Sequence, residues 1–420
     1  MNHCDLPAFL RQFPEADRAT VSRRRLLESA LSIAGSFGLT AIVPRPALGA
    51  EPRSSVTETL SSPDRPAEFF AYVGSRTSKE RNARGEGISV YQVDRMTSKW
   101  TLVEVKRDLV NPSFLTLDQQ RRFLYSVHGD KSEVSAFRID ARSGRLDFIN
   151  TQSTKGSNPV HSTVDASNRH LVLANYATGT VVTLPIDENG ALGQVRHQSA
   201  LLGEPGPHRI EQKSSHPHQA AFDRNRRFIA VPDKGLDRIF VFKLDADGQL
   251  LPNDPPLVET QDGAGPRHIA FHPTKNLAYV VNELNSTLTT YAWNPDLGAL
   301  KPLQILPSTP PDHVGNNRAA EIAIAASGRH VYVSNRGHDS IGLFSADDRS
   351  GLLSSVEWTP AQGNGPRFFA LGPFDRHLYA ANELTDSIVQ FEIDTPTGRL
   401  RHTGQTIETG SPVCVVFADA

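Results

Sequence analysis

The sequence predicts an all-β protein: a seven-bladed β-propeller of four-stranded antiparallel blades, with the ring closed by pairing the N- and C-terminal strands. Three observations lead there. A hairpin signature recurs seven times. Apolar residues alternate with period two between Gly, Asp and Asn turns. No segment after Pro66 keeps a helical period. Four-stranded units repeated without helices close into a ring that leaves only short, protected sheet edges.

The hairpin signature is an alternating run ending in an acid or amide, followed by a Gly-x-Leu turn. It reads Phe137-Arg138-Ile139-Asp140 with Gly144-Arg145-Leu146, and Leu184-Pro185-Ile186-Asp187 with Gly190-Ala191-Leu192. Four further copies end at Asp245, Asn294, Asp347 and Asp394. A degenerate copy stands first, at Tyr91-Gln92-Val93-Asp94 with Ser98-Lys99-Trp100. The closing residues fall at 94, 140, 187, 245, 294, 347 and 394, a spacing of 46 to 58 residues that suits a propeller blade. Each unit adds two runs upstream, such as His268-Ile269-Ala270-Phe271 and then Leu277-Ala278-Tyr279-Val280, which makes four strands.

The chain ends predict closure. Val413-Cys414-Val415-Val416-Phe417 reads as a first strand without partners, and Phe69-Phe70-Ala71-Tyr72-Val73 as a second strand without its first. Joined, they complete one blade and remove an open edge.

Residues 1–67 read differently. Ser22-Arg23-Arg24-Arg25-Leu26-Leu27 precedes a weakly apolar stretch to Val43. Glu28, Gly35 and Gly38 make that stretch too short and too polar to span a bilayer. Small residues around Ala47-Leu48-Gly49-Ala50 then offer a cleavage site. This order resembles a twin-arginine export signal over 1–50, followed by a polar, Pro/Ser-rich linker over 51–67 and the propeller over 68–420. The implied partner is the twin-arginine machinery, and the implied location is the periplasm or the medium, with no membrane association after cleavage.

Composition narrows the function. A net charge of -2 gives no support to nucleic-acid or anionic-membrane binding. The two cysteines are Cys4 and Cys414, and removal of the leader leaves one, so no internal disulfide forms and Cys414 is expected as a buried apolar residue. No CxxC pair exists for a zinc cluster, and the candidate channel is rich in His and Arg rather than the carboxylates calcium needs. No metal or cofactor is expected. Tryptophan is never followed by aspartate and Gly-Gly never occurs, which excludes WD40 and kelch repeats. A monomer is expected.

In a propeller the innermost strands line a central channel, so polar residues flanking them converge from distant positions. His216, His218, Arg267, His268, Glu283 and Arg336 come from three successive blades. His-Pro-His can equally be a turn in which proline fixes φ. Arg267 can equally pair with a neighbouring acid, and the near-copy Asn382-Glu383-Leu384 of Asn282-Glu283-Leu284 argues that the motif is a blade feature. His128, Asn175, Asn335 and His338 occupy equivalent post-strand turns, where a structural role is as good a reading.

Several segments carry a resemblance to a known family: Tyr72-Val73-Gly74-Ser75, Glu86-Gly87-Ile88, Asn111-Pro112-Ser113, His216-Pro217-His218, Gly265-Pro266-Arg267-His268, Val281-Asn282-Glu283-Leu284, and Ser334-Asn335-Arg336-Gly337-His338-Asp339-Ser340-Ile341. Over about 68–420 the chain resembles the lactonase family of seven-bladed propellers, which includes bacterial 6-phosphogluconolactonase and fungal carboxymuconate cyclase. The resemblance implies a metal-independent enzyme acting on a small lactone or carboxylate, with catalytic roles for His218, Arg267, Glu283 and Arg336. His216, His268, His338 and Asn335 would contact substrate. His218 would serve as general base, or as acid in the reverse ring closure; spacing alone does not separate it from His216. Arg267 and Arg336 would hold a substrate carboxylate and the developing oxyanion, and Glu283 would orient a neighbour or donate a proton. Three functions remain open: opening a sugar or organic-acid lactone, closing a muconate-type lactone, and ligand or protein binding without catalysis. Export favours an unphosphorylated substrate.

Overall fold

The computed structural model describes residues 68–419. The expected leader over 1–50 and linker over 51–67 lie outside the described residues. Seven four-stranded antiparallel sheets succeed one another along the chain, as the repeat predicts. Helix among the described residues is limited to two short 3-10 turns, Lys79–Arg81 and Pro373–Asp375.

Closure also follows the sequence expectation. The C-terminal strand Pro412–Asp419 pairs antiparallel with Glu68–Ser75, followed outward by Ile88–Asp94 and Trp100–Lys106. The register sets Val73 opposite Val415 and Gly74 opposite Cys414. Cys414 is fully buried beside Leu115 and Leu124 of the next blade.

The repeated marks meet each other between blades. A tyrosine hydroxyl on one second strand donates to the glycine carbonyl in the next blade's Gly-x-Leu turn: Tyr72 to Gly144 at 2.9 Å, Tyr279 to Gly351 at 2.8 Å, and Tyr332 to Gly398 at 2.8 Å. Gly144 sits at φ +69, and a Cβ there would lie 2.3 Å from Phe70, so both backbone and packing require glycine. Each buried hydroxyl bond contributes roughly 1 kcal/mol net. The larger stabilisation comes from apolar clusters drawn from adjacent blades, such as Phe123, Tyr125, Val134, Leu171, Leu173 and Leu184.

Two irregularities interrupt the repeat, and the second reaches the site. The degenerate first unit has Ser98, at φ 57, where the others have glycine, and Trp100 packs on Tyr379 at 5.2 Å instead of forming the tyrosine clasp. The longest repeat, between Asp187 and Asp245, contains an insertion before a first strand of only two residues, Ala221–Phe222. That insertion carries Glu211, His216 and His218 to the ring.

Candidate active site

Most first strands open with one local device. A proline pairs with a residue ending the second strand, and a register shift follows. The pairs are Pro112 with His128, Pro159 with Asn175, Pro266 with Asn282, Pro366 with Asn382 and Pro412 with Ser75. Proline gives no N–H to the ladder. The residue after it is the extra one in a bulge, which bends the strand and re-aims a side chain. Those residues are Ser113, Val160, Arg267, Arg367 and Val413. All five line one small cavity of about 20 Å³, together with His218, His268, Arg76, Phe114 and Phe368. Six of the seven blades contribute to it, so it lies where the inner strands converge. In the remaining bridge Pro217 pairs with Asp233, and the His218 N–H donates to Pro232 O at 3.0 Å.

A second set follows the second-strand partners. The next residues are Arg76, Gly129, Tyr176, Lys234, Glu283, Arg336 and Glu383, one from each blade.

On one side of the cavity a hydrogen-bonded line crosses three blades. His218 Nδ1 meets His268 Nε2 at 3.1 Å, and His268 Nδ1 meets Glu321 Oε1 at 2.9 Å. All three side chains are buried. Burial holds His218 well below the usual histidine range, and Arg267, His268, Arg367 and Lys234 push the same way. Burial also lowers His268, against the pull of Glu321. Both rings are therefore neutral at pH 7. No hydrogen bond from a described residue reaches His218 Nε2.

Next to this line lies a buried carboxylate among cations. Glu283 meets Lys234 Nζ at 3.1 Å, Arg267 Nε at 3.1 Å, Arg336 Nη2 at 3.3 Å and Arg318 Nη1 at 3.5 Å. Burial opposes its ionisation, but Arg336, Lys234, Arg267 and Arg367 outweigh that and hold the carboxyl well below its usual range. Glu211 from the insertion bonds Lys234 at 2.9 Å and Arg318 at 2.8 Å. Arg267 is further tied to Ala320 O at 2.5 Å. Burial, with Arg367 and Arg336 nearby, lowers its guanidinium to about 9, so it stays a cation.

The four expected catalytic residues thus gather: His218 and Arg267 line the cavity, and Glu283 joins Arg267 to Arg336. His268 joins them through His218. The other three expected contacts do not. His216 does not line the cavity; its ring stacks on Tyr176 at 4.5 Å and its Nδ1 bonds Tyr176 O at 2.9 Å. Asn335 is buried and occupied by Ser308 Oγ at 2.7 Å, Ser308 O at 2.8 Å and Asn317 Nδ2 at 3.1 Å. His338 bonds Ser340 Oγ at 2.7 Å.

Sequence reasoning missed Glu321, Lys234, Arg76 and Arg367. For Arg367 a signal was present: Gly365-Pro366-Arg367 copies Gly265-Pro266-Arg267. The copy Glu383 lies in the same channel set, with Arg76 at 3.9 Å and Arg367 at 4.0 Å, so repetition of the motif marks a channel position. Glu321 follows Ala319-Ala320, where the proline is replaced, and nothing local marks it.

A roomier cavity, about 610 Å³, lies elsewhere, at the seam by Phe69, Ser98 and Tyr379. It is the gap left by the degenerate turn. The buried histidines, arginines and glutamate with the strongest shifts, His161, His218, Arg76, Arg267 and Glu283, converge on the centre instead, which is where we place the site. Among the described residues no group of three or more His, Cys, Asp or Glu is arranged to hold a metal ion.

Comparison with known proteins agrees with this architecture. Residues 70–417 match the family described as lactonase, 7-bladed beta-propeller. The chain is 36% identical to the 6-phosphogluconolactonase of Bacillus subtilis over 354 residues, 83% of this chain and 98% of that one. It is 31% identical to that of Formosa agariphila over 314 residues, 72% of this chain and 86% of that one. The solved periplasmic gluconolactonase of Pseudomonas aeruginosa superposes with a TM-score of 0.78 at 30% identity, covering 84% of this chain and all (100%) of that one. With nearly its whole described length matched in both sequence and fold, the chain belongs to the lactonase family of seven-bladed β-propellers.

Proposed function

We propose that the protein hydrolyses the ester of a lactone at the central cavity, with His218 as general base. The observation that carries this is the line Glu321–His268–His218, which ends beside Arg267. If the His268 Nδ1–H donates to Glu321, its Nε2 accepts the Nδ1–H of His218. His218 Nε2 then keeps a lone pair for water. Water gives its proton to Nε2 and attacks the carbonyl. Arg267 and Arg336 stabilise the oxyanion. Collapse breaks the ring C–O bond, and the leaving alkoxide takes the proton back from His218. Glu283, held ionised among four cations, orients Arg267 and Arg336 and is not the proton donor at neutral pH. A lactonising cycloisomerase would use the same groups in reverse, but the names of the relatives favour hydrolysis.

Export through the twin-arginine route remains part of this reading, supported by the periplasmic relative. No helix among the described residues is long and apolar enough to cross a membrane. The domain division at 50 and 67 and the monomeric state are likewise proposed.

The test is acid release from a panel of aldono- and muconolactones, followed in a pH-stat against the uncatalysed rate. His218→Ala should lower kcat by about 10²–10⁴-fold, the usual contribution of a positioned base. A panel with no rate above the blank would refute lactone hydrolysis, and an unchanged His218→Ala rate would refute its role.

A further inference from the structure

Arg76 is a channel arginine whose Nε and Nη1 take no hydrogen bond from the described residues. It is 3% exposed, and both nitrogens are buried without a partner. Its nearest acids, Asp130 and Glu383, each stand 3.9 Å away, beyond hydrogen-bond reach. Asp130 is already engaged by Arg81 through two bonds of 2.8 and 2.5 Å and by Asn111 Nδ2 at 3.0 Å. Arg367 stands 4.0 Å from Glu383, on the same cavity. Ser113 Oγ, also lining the cavity, is a third buried polar atom without a partner.

The seat is built for this guanidinium. The equivalent ring position on the next blade is Gly129, and a Cβ there would lie 2.5 Å from Arg76 Nη1 and 2.7 Å from Ser113 Oγ. Burial first, and then Arg367, lowers Arg76 to about 9, so it remains charged at pH 7. A buried cation with spare N–H groups, beside a second arginine and a free hydroxyl, lacks an anion.

We propose that Arg76, Arg367 and Ser113 form a subsite for an oxyanion of the substrate, a carboxylate or phosphate carried in addition to the reacting ester. This rests on the lactonase reading and deepens it. Arg267 and Arg336, expected from the sequence to clamp such a group, are occupied by Glu283 and main-chain carbonyls. Arg76 and Arg367 line the same cavity as His218, so an anion held by the arginine pair lies beside the proposed base. The cavity of about 20 Å³ admits roughly one water-sized group, which fits one oxygen of the anion at its floor.

The test compares three lactones on the full chain: glucono-1,5-lactone, its 6-phosphate, and the carboxylate-bearing muconolactone. The subsite predicts that at least one anionic lactone is favoured over the neutral one, and which of the two identifies the anion. Arg76→Gln should reduce that preference in kcat/KM by about 30-fold, through KM, as expected for loss of charge-assisted bonds. Arg76→Lys should restore part of it. Gly129→Ala, which keeps the charge but displaces the guanidinium, should reduce it as well and serves if Arg76→Gln does not fold. A preference within threefold of wild type in Arg76→Gln, or in Gly129→Ala where that stands in, overturns the proposal, as does an equal loss on all lactones. If no lactone is turned over, the hydrolytic reading fails separately. Calorimetry with inorganic phosphate and with succinate then decides the subsite. Binding by wild type that Arg76→Gln, or Gly129→Ala in its place, abolishes sustains it. No binding of either anion to wild type, or binding that the variant retains, removes it.

Discussion

Glu321→Gln is the sharpest test of the catalytic line. The acceptor Oε1 lies 2.9 Å from His268 Nδ1, with Glu321 7% and His268 2% exposed, so solvent cannot replace the bond. A glutamine there can present an amide N–H to Nδ1. His268 would then carry its proton on Nε2 and donate to His218 Nδ1. The proton of His218 would move to Nε2, the atom that must accept one from water. The loss combines a charge-assisted hydrogen bond of about 1.5–3 kcal/mol with the wrong tautomer. About 3 kcal/mol corresponds to roughly 150-fold in rate. The analogous acid-to-amide change in serine hydrolases costs on the order of 10⁴, which sets an upper bound. Initial rates in a pH-stat between pH 6 and 8 should show kcat down by about 10²-fold and KM within about threefold. Wild-type kcat/KM should be flat over that range, because burial and the surrounding cations hold His218 well below the ordinary histidine value. A kcat within threefold of wild type, or a loss confined to KM, would refute the relay. A wild-type acid limb near pH 6.5 would refute the environment assigned to His218.

Three further outcomes follow from the same groups. His161, His218 and His268 are all lowered chiefly by burial, so the unfolded chain binds their protons first as pH falls. Their stabilisation is complete above pH 6.5 and is lost below it, by up to about 1.4 kcal/mol per pH unit for each ring; urea midpoints between pH 7 and 5 should fall accordingly. Asn335→Ala should cost about 1–3 kcal/mol by orphaning Ser308, while KM for a lactone stays within about twofold; a KM rise with unchanged thermal stability would return Asn335 to the substrate site. Burial pushes the Cys414 thiol up to about 12, so a disulfide exchange reagent should label it only on unfolding, and rapid labelling of the native protein would contradict the closed seam.

The ring was legible because each of its devices repeats. The Gly-x-Leu turns, the tyrosines they bind and the split blade are all visible in a single sequence. The four residues proposed as catalytic were reachable through resemblance, and their places on the strands bring them together. His216 and His218 flank one proline bridged to Asp233, and the first stacks on Tyr176 while the second lines the cavity. The prolines at 112, 159, 217, 266, 366 and 412 were in plain view, and the residue after each faces the channel. Glu321 and Lys234 were not legible, because their blades depart from the pattern: alanine replaces the proline at 319, and the first strand of the insertion blade shrinks to Ala221–Phe222. Asn335 and His338 stayed ambiguous because a post-strand amide or imidazole serves a turn as well as a ligand.

Charge shows most clearly why composition hid the substrate. The whole chain carries -2. Among the described residues, the ion pairs around the channel and its rim join seven cations, Arg76, Arg81, Lys234, Arg267, Arg318, Arg336 and Arg367, to four acids, Asp130, Glu211, Glu283 and Glu383, with Glu321 on His268. The cations therefore exceed the acids in the one place where low-dielectric walls concentrate their field. The excess is not spread evenly. Glu283 stands 3.1 Å from Arg267 and 3.3 Å from Arg336, while the acids nearest Arg76 and Arg367 stand 3.9 to 4.0 Å away. That asymmetry separates the two tasks the arginines were expected to share. The closely paired arginines are rigid and suit an oxyanion that exists only during reaction. The loosely paired arginines suit a charge the substrate brings with it. Raising ionic strength should then weaken KM for an anionic lactone more than it changes kcat, and equal salt effects on an anionic and a neutral lactone would show that the excess charge faces no ligand.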